Sequence, residues 1–184
     1  MIAALEWSSG SMVPAGFAAV CAEVAARDRP TVVECGSGFS TLALARLVRE
    51  REGRLVSLEH DEVWVGRVRE HLAAAGLGGT AEVLLAPLEP GAGLPWYAEE
   101  ALRSVPDGID VLLVDGPPAF EPGTGLSRYP ALPVLLPRLA EGAVVVLDDL
   151  DRVGEQQVLA AWTRECGFRF EVRPLGRIAV GRRT

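Results

Sequence analysis

The chain contains no lysine; all 18 of its basic side chains are arginines. A lysine Schiff base, a lysine general base and a phosphate-loop lysine are therefore excluded. Cysteine is scarce, and Cys21, Cys35 and Cys166 are odd in number, far apart and without a C-x-x-C spacing. That pattern excludes a disulfide framework and a zinc site, leaving three small apolar residues. No apolar run approaches the ~20 residues of a membrane span. The opening MIAALEWSSG lacks the basic region and apolar core of a signal peptide, so the expected location is the cytoplasm, with no membrane partner. Positive charge is also in deficit: the formal net charge is −7 and no basic stripe is available to neutralise phosphates. A nucleic-acid partner is therefore not expected, and most of the acidity reads as a solubility feature.

What is present is a globular composition. The chain has 184 residues, of which 49% are hydrophobic and 23% charged, with 20 glycines. This length suits one domain over residues 1–184, with residues 1–30 forming an N-terminal flap and helix. The flap is the polar stretch around Trp7. The helix runs from Pro14 to about Arg27, with Val13, Phe17, Val20, Cys21 and Val24 as its apolar stripe.

The rest is organised around Thr31 to Thr41, TVVECGSGFST. Val32 and Val33 read as a buried strand, Gly36 and Gly38 as a turn, and Ser40 and Thr41 as the start of a helix. Such a unit aims backbone N–H groups and the positive end of a helix dipole at one point, which suits a carboxylate or phosphate. The dinucleotide fingerprint G-x-G-x-x-G is incomplete, because Thr41 stands where the third glycine belongs. An acid, Glu34, precedes the first glycine instead.

A second strand, RLVSLE, ends in Glu59, placed to hold both hydroxyls of a ribose, with His60 beside it. Asp61 is suited to cap the following helix. The third strand, AEVLL, runs into Ala86 and Pro87. A connection over residues 89–106 turns helical near Tyr97 to Ser104, and Trp96 is expected to pack on the sheet. The fourth strand, IDVLLVD, is apolar on both faces and so central, and it ends in Asp115. A loop through Gly116-Pro117-Pro118 to Arg128-Tyr129-Pro130 follows, the usual place for substrate specificity. A proline-interrupted helix over ALPVLLPRLAEG leads to a fifth strand, GAVVVLDD, ending in Asp148 and Asp149. After a last helix, FRFEVR and RIAVG form a hairpin that brings one antiparallel strand into a parallel sheet. The expected fold is α/β, Rossmann-like and doubly wound, with a mostly parallel seven-stranded sheet and a C-terminal antiparallel hairpin strand.

In order, ECGSGFST, SLEHD, LLAPL, LLVDGPP and VVVLDDLDR resemble the motifs of class I S-adenosylmethionine-dependent methyltransferases over nearly the whole chain. The resemblance implies S-adenosyl-L-methionine as cofactor. It places Glu34, Gly36, Ser37, Gly38, Ser40 and Thr41 around the methionine moiety, Glu59 and His60 at the ribose, Ala86 and Pro87 beside the adenine, and Asp115 near the cofactor or acceptor. Asp115, Asp148 and Asp149 resemble the metal site of the catechol O-methyltransferase-like enzymes, which implies Mg²⁺. This sequence departs from that family in having Asp-Asp rather than Asp-Asn and in lacking its lysine base.

Two readings of the aspartates stand. In one, they hold Mg²⁺. In the other, Asp115 contacts the cofactor ammonium or the substrate, while Asp149 and Asp151 pair with Arg152 or Arg128 or cap the last helix. Asp115 is the candidate base, with Arg128 and Tyr129 as orienting residues. The implied function is methyl transfer to a hydroxyl of a small molecule. A non-catalytic subunit that binds S-adenosylmethionine or S-adenosylhomocysteine and a nicotinamide-dependent oxidoreductase are the alternatives. A homodimer stays open.

Overall fold

The computed structural model describes residues 11–90 and 94–184. The flap expected around Trp7 lies outside the described residues, as does the middle of the Gly- and Pro-rich connection at 91–93.

The strands that alternate with helices are β1 (Thr31–Cys35), β2 (Arg54–Glu59), β3 (Ala81–Leu85), β4 (Ile109–Val114), β5 (Leu139–Leu147), β6 (Phe168–Arg173) and β7 (Ile178–Arg183). They form one sheet in the order β3-β2-β1-β4-β5-β7-β6. The first five in this order are parallel. β7 runs antiparallel to both of its neighbours. The expected Rossmann-like sheet and its antiparallel hairpin strand are both present.

Alternation along each strand fills two cores. Val33, Cys35, Leu112 and Val114 face one side, where Leu132, Leu135, Val158 and Trp162 pack on them. Val32, Val111 and Leu113 face the other, against Val20, Val24, Leu44, Val48, Val65, Val68 and Leu72. The second set comes from helices α1 (Pro14–Ala25), α2 (Phe39–Glu50) and α3 (Glu62–Ala74). The first comes from α5 (Ala131–Leu135) and α6 (Val153–Glu165), with α4 (Glu99–Arg103) adding Ala101. Sandwiched on both faces, β4 is apolar throughout except at Asp110, as a central parallel strand should be.

Two boundaries differ from the sequence reading. The helix expected over ALPVLLPRLAEG is only α5 followed by a 3₁₀ turn at Leu136–Arg138, and β5 starts at Leu139. Pro137 has no N–H to continue the helix, and Leu139 can pair with Ile109. Near Tyr97 the chain first forms a two-residue antiparallel ladder, Leu88–Glu89 with Trp96–Tyr97, before α4. Among the described residues, no helix is long and apolar enough to cross a membrane.

Strand order reverses on either side of β1: β2 lies on one flank and β4 on the other. The carboxyl ends of β1, β2, β4 and β5 therefore open onto one crevice, the place where sheets of this kind bind ligands.

Candidate active site

The crevice floor depends on two glycines. Gly36 adopts φ +88°, and a Cβ on Gly116 would lie 2.8 Å from the Gly36 Cα. Side chains at either position would drive the tips of β1 and β4 apart.

Above this floor the first acid, Glu34, is wholly buried. Its carboxylate accepts hydrogen bonds from Ser40 Oγ at 2.5 Å, Thr41 Oγ1 at 2.6 Å and Ser57 Oγ at 2.7 Å. Burial raises its pKa, and the hydroxyls act in the opposite direction. Glu34 thus lies beneath the loop as a fastener between β1, β2 and the start of α2. Thr41 also accepts from Gly38 N at 2.8 Å, which closes the turn.

Glu59 is 5% exposed at the tip of β2. Its Oε2 accepts from Ser37 N and Ser37 Oγ, both at 3.0 Å. Its Oε1 accepts from His60 N at 2.8 Å and Asp61 N at 3.0 Å, with His60 Nδ1 2.9 Å away. The loop is pinned from the other side by Trp64, whose Nε1 donates to Ser37 O at 2.7 Å. Asp61 caps α3 as expected, accepting from Trp64 N at 2.9 Å. The anchoring role of Trp64 was hidden in the sequence by its place in an apolar helical repeat.

On the opposite wall, Asp115, Asp148 and Asp149 converge, with one carboxylate oxygen of each within 4.8 Å of the others. They meet because β4 and β5 pair side by side in the sheet. A buried guanidinium runs through it. Arg128 is 3% exposed and donates to Asp115 O at 2.7 Å, Pro117 O at 3.2 Å and Asp148 O at 3.4 Å. Its Nη2 lies 3.1 Å from Asp149 Oδ2 and 3.5 Å from Asp115 Oδ1. Asp149 also meets Arg152 at 2.8 Å and Arg177 at 2.6 Å, so both of its oxygens face arginines. Asp151 pairs with the same Arg177 at 2.8 Å. Of the two readings of the aspartates, the arginine pairing is the arrangement present, and it extends to Arg177.

Glu155 completes this wall and carried no signal in the sequence, where it reads as an ordinary first-turn helix acid. It is 1% exposed, and neither carboxylate oxygen has a hydrogen bond among the described residues. Its nearest cations are Arg128 and Arg152, each at 3.7 Å. A Cβ on Gly154 would collide with the Gly125 carbonyl, so glycine there lets the long loop close over Glu155. Burial is the main cause of raised pKa values at Asp115, Asp148 and Glu155, with Arg128 opposing it in each case; Asp148 reaches about 6.

A divalent cation does not fit this donor set. Asp149 is spent on arginines and Asp115 already faces Arg128 at 3.5 Å, which leaves Asp148, among the described residues, as the one of the three with no arginine on its carboxylate. An ion on Asp115 would stand ~5 Å from the Arg128 guanidinium, where even two unit charges repel by about 3 kcal/mol at an effective dielectric of about 20.

The crevice encloses a cavity of about 220 Å³ lined by Gly36, Ser37, Ser40, Glu59, His60 and Asp115 on the cofactor side, and by Pro118, Phe120, Arg128, Asp149 and Arg152 on the other. Gly38 and Thr41 sit just behind the lining and shape it. Ala86 and Pro87 are not among the lining residues: Ala86 is buried, and its N–H donates to Glu59 O at 2.7 Å. Tyr129 is not brought in either. Its hydroxyl is bound to Glu165 at 2.5 Å on α6, and its carbonyl accepts from Trp162 Nε1 at 2.8 Å. A larger cavity of about 540 Å³ lies at the amino ends of β2 and β3, but it has neither the glycine turn nor the converging acids.

A family model described as a methyltransferase domain matches residues 33–150, from β1 to the end of the paired aspartates. The chain belongs to this methyltransferase family. Its fold is that of the class I S-adenosylmethionine-dependent methyltransferases, and solved structures of that kind resemble it along most of its length. A Podospora anserina methyltransferase bound to S-adenosylhomocysteine is 14% identical with a TM-score of 0.73, covering 95% of this chain and 80% of its own. A Bacillus cereus O-methyltransferase in complex with S-adenosylhomocysteine is 18% identical with a TM-score of 0.68, covering 100% and 84%. The Streptomyces achromogenes O-methyltransferase of tomaymycin synthesis, in complex with S-adenosylmethionine, is 20% identical with a TM-score of 0.63, covering 98% and 82%. At these identities the likeness concerns the fold. No curated protein matches this methyltransferase sequence.

Proposed function

We propose that this methyltransferase transfers a methyl group from S-adenosyl-L-methionine to a hydroxyl oxygen of a small molecule in the crevice at the carboxyl ends of β1, β2 and β4. The observation that supports it most is the pairing, across one cavity, of a ribose-suited acid, Glu59, with a half-buried acid, Asp115, above a glycine floor. The Ser37 hydroxyl on Glu59 Oε2 is replaceable by a ribose hydroxyl at no net loss of hydrogen bonds. Asp115 faces Arg128 at 3.5 Å through Oδ1, and burial still disfavours its charge, so its carboxyl is suited to hydrogen-bond a polar ligand group in the cavity.

The cofactor, when bound, supplies an electrophilic methyl on a sulfonium. The chain then has to align the acceptor oxygen with that methyl, exclude water and take up one proton. With the cofactor bound, Asp115 in its ionised form would take up the proton that the acceptor hydroxyl gives up, and burial favours the protonated carboxyl that results. Pro118, Phe120 and Arg152 form the acceptor side of the cavity. The oxygen target is favoured by the O-methyltransferase neighbours and by a carboxylate base within the cavity.

The test is transfer of labelled methyl groups from S-adenosylmethionine to a panel of hydroxylated small molecules. Label should appear on at least one acceptor with the wild type and drop sharply with Asp115→Asn. Label found only on amines or carbon would refute the oxygen target. A folded protein that binds the cofactor product yet never transfers label would favour a non-catalytic subunit.

A further inference from the structure

The carboxylate wall of the crevice carries its own cations. Arg128 reaches the centre of the cluster from a loop, touching Asp115, Asp149 and Glu155 with its guanidinium and tying the carbonyls of residues 115, 117 and 148. Arg152 and Arg177 approach Asp149 from α6 and from the start of β7. Asp149 itself is bent into a left-handed conformation, φ +59°, that aims both of its oxygens at them. Among the described residues, Glu155 has no hydrogen-bond donor on its buried carboxylate, and Arg128 and Arg152 are its counter-charges.

We infer that Arg128, with Arg152 and Arg177, takes the place of a divalent cation in this crevice, so that methyl transfer here needs no metal. The inference rests on the methyltransferase reading for what the crevice does, but not for how its charges are balanced. Three features carry it. The guanidinium stands between two of the converging carboxylates, its hydrogen-bond donors are spent on backbone carbonyls that fix it there, and it is too deeply buried to swing out. One consequence concerns the acceptor. A vicinal diol gains from two adjacent oxygens only when a metal chelates both, so a single hydroxyl suffices for this site.

The test is Mn²⁺ titration of the purified chain by electron paramagnetic resonance, which reads the free ion directly. S-adenosylhomocysteine binding is measured on the same samples by calorimetry. The wild type should leave the free Mn²⁺ signal unchanged with and without S-adenosylhomocysteine. Arg128→Met, checked for folding by circular dichroism, should gain stoichiometric Mn²⁺ binding because Asp115 is then uncovered beside Asp148. Stoichiometric Mn²⁺ on the wild type overturns the inference, and that result does not depend on whether the variant folds. A folded Arg128→Met as indifferent to Mn²⁺ as the wild type also overturns the assignment to Arg128. Failure to bind S-adenosylhomocysteine, by contrast, strikes the methyltransferase reading and leaves the charge balance standing.

Discussion

The two walls of the crevice solve the same electrostatic problem in different ways. On the β1–β2 side, Glu34 and Glu59 are buried and satisfied by hydroxyls and backbone amides: three hydroxyls on one, and a hydroxyl and backbone amides on the other, beside the His60 ring. On the β4–β5 side, Asp115, Asp149 and Glu155 are balanced by guanidinium groups. A carboxylate held by hydroxyls keeps lone pairs that a ligand hydroxyl can claim by exchange. One held by arginines is part of a rigid ionic lattice, and breaking it leaves charges stranded out of water. The first wall is suited to receive a ligand, the second to hold shape and field.

The largest effect should come from attacking the second wall. Arg128→Met removes the cation that faces three carboxylates and is expected to cost ~3–5 kcal/mol of stability, read from the urea midpoint. A loss below ~1 kcal/mol would mean that the lattice is not what holds the loops after β4 and β5.

Next in size is a change on the first wall that should act on binding rather than folding. Glu59→Ala removes an ionised acceptor for the ribose hydroxyls and should weaken S-adenosylhomocysteine by about 10–100-fold, measured by calorimetry. Unchanged affinity would contradict the proposed ribose contact.

Asp148 tests the second wall through pH. Its folded pKa of about 6 lies above the ordinary 3.8, chiefly because burial disfavours the charge. The native state therefore holds a proton that the unfolded chain releases between those values, and stability falls as pH rises from about 4 to about 6. Asp115 acts in the same direction. Asp148→Asn should flatten this slope and stabilise the protein at pH 7 by on the order of 1–3 kcal/mol, which is visible in melting curves taken across that range. A slope identical to that of the wild type would remove Asp148 as its source.

The smallest effect should fall on the hydroxyl-bonded acid. Glu34→Gln keeps shape and hydrogen-bonding capacity, because the Ser40, Thr41 and Ser57 hydroxyls can rotate to donate or accept. It should cost only ~1 kcal/mol, and a loss as large as that of Arg128→Met would erase the distinction between the walls.

The first wall was legible in the sequence because its partners are close in the chain or fixed by strand register. Glu34 meets Ser40 and Thr41 across one turn, and Ser57 is its register partner on β2. What the sequence could not tell was depth: Glu34 is wholly buried beneath the loop. The second wall was half legible. The resemblance grouped Asp115, Asp148 and Asp149, and the pairing with Arg128 and Arg152 stood as one of two readings. Arg177 and Glu155 were out of reach, since Arg177 returns to Asp149 from 28 residues away and the close approach of Gly125 to Gly154, next to Glu155, is a tertiary contact. Tyr129 shows the same limit in a single residue. It adjoins Arg128 in the chain, but its hydroxyl joins Glu165 on α6 while Arg128 enters the crevice.

The measurement that bears most directly on the account is a calorimetric titration of S-adenosylhomocysteine into metal-free protein, repeated in Mg²⁺. The account predicts one site per chain with the same affinity in both conditions. Binding seen only in Mg²⁺, or no binding in either, would contradict it.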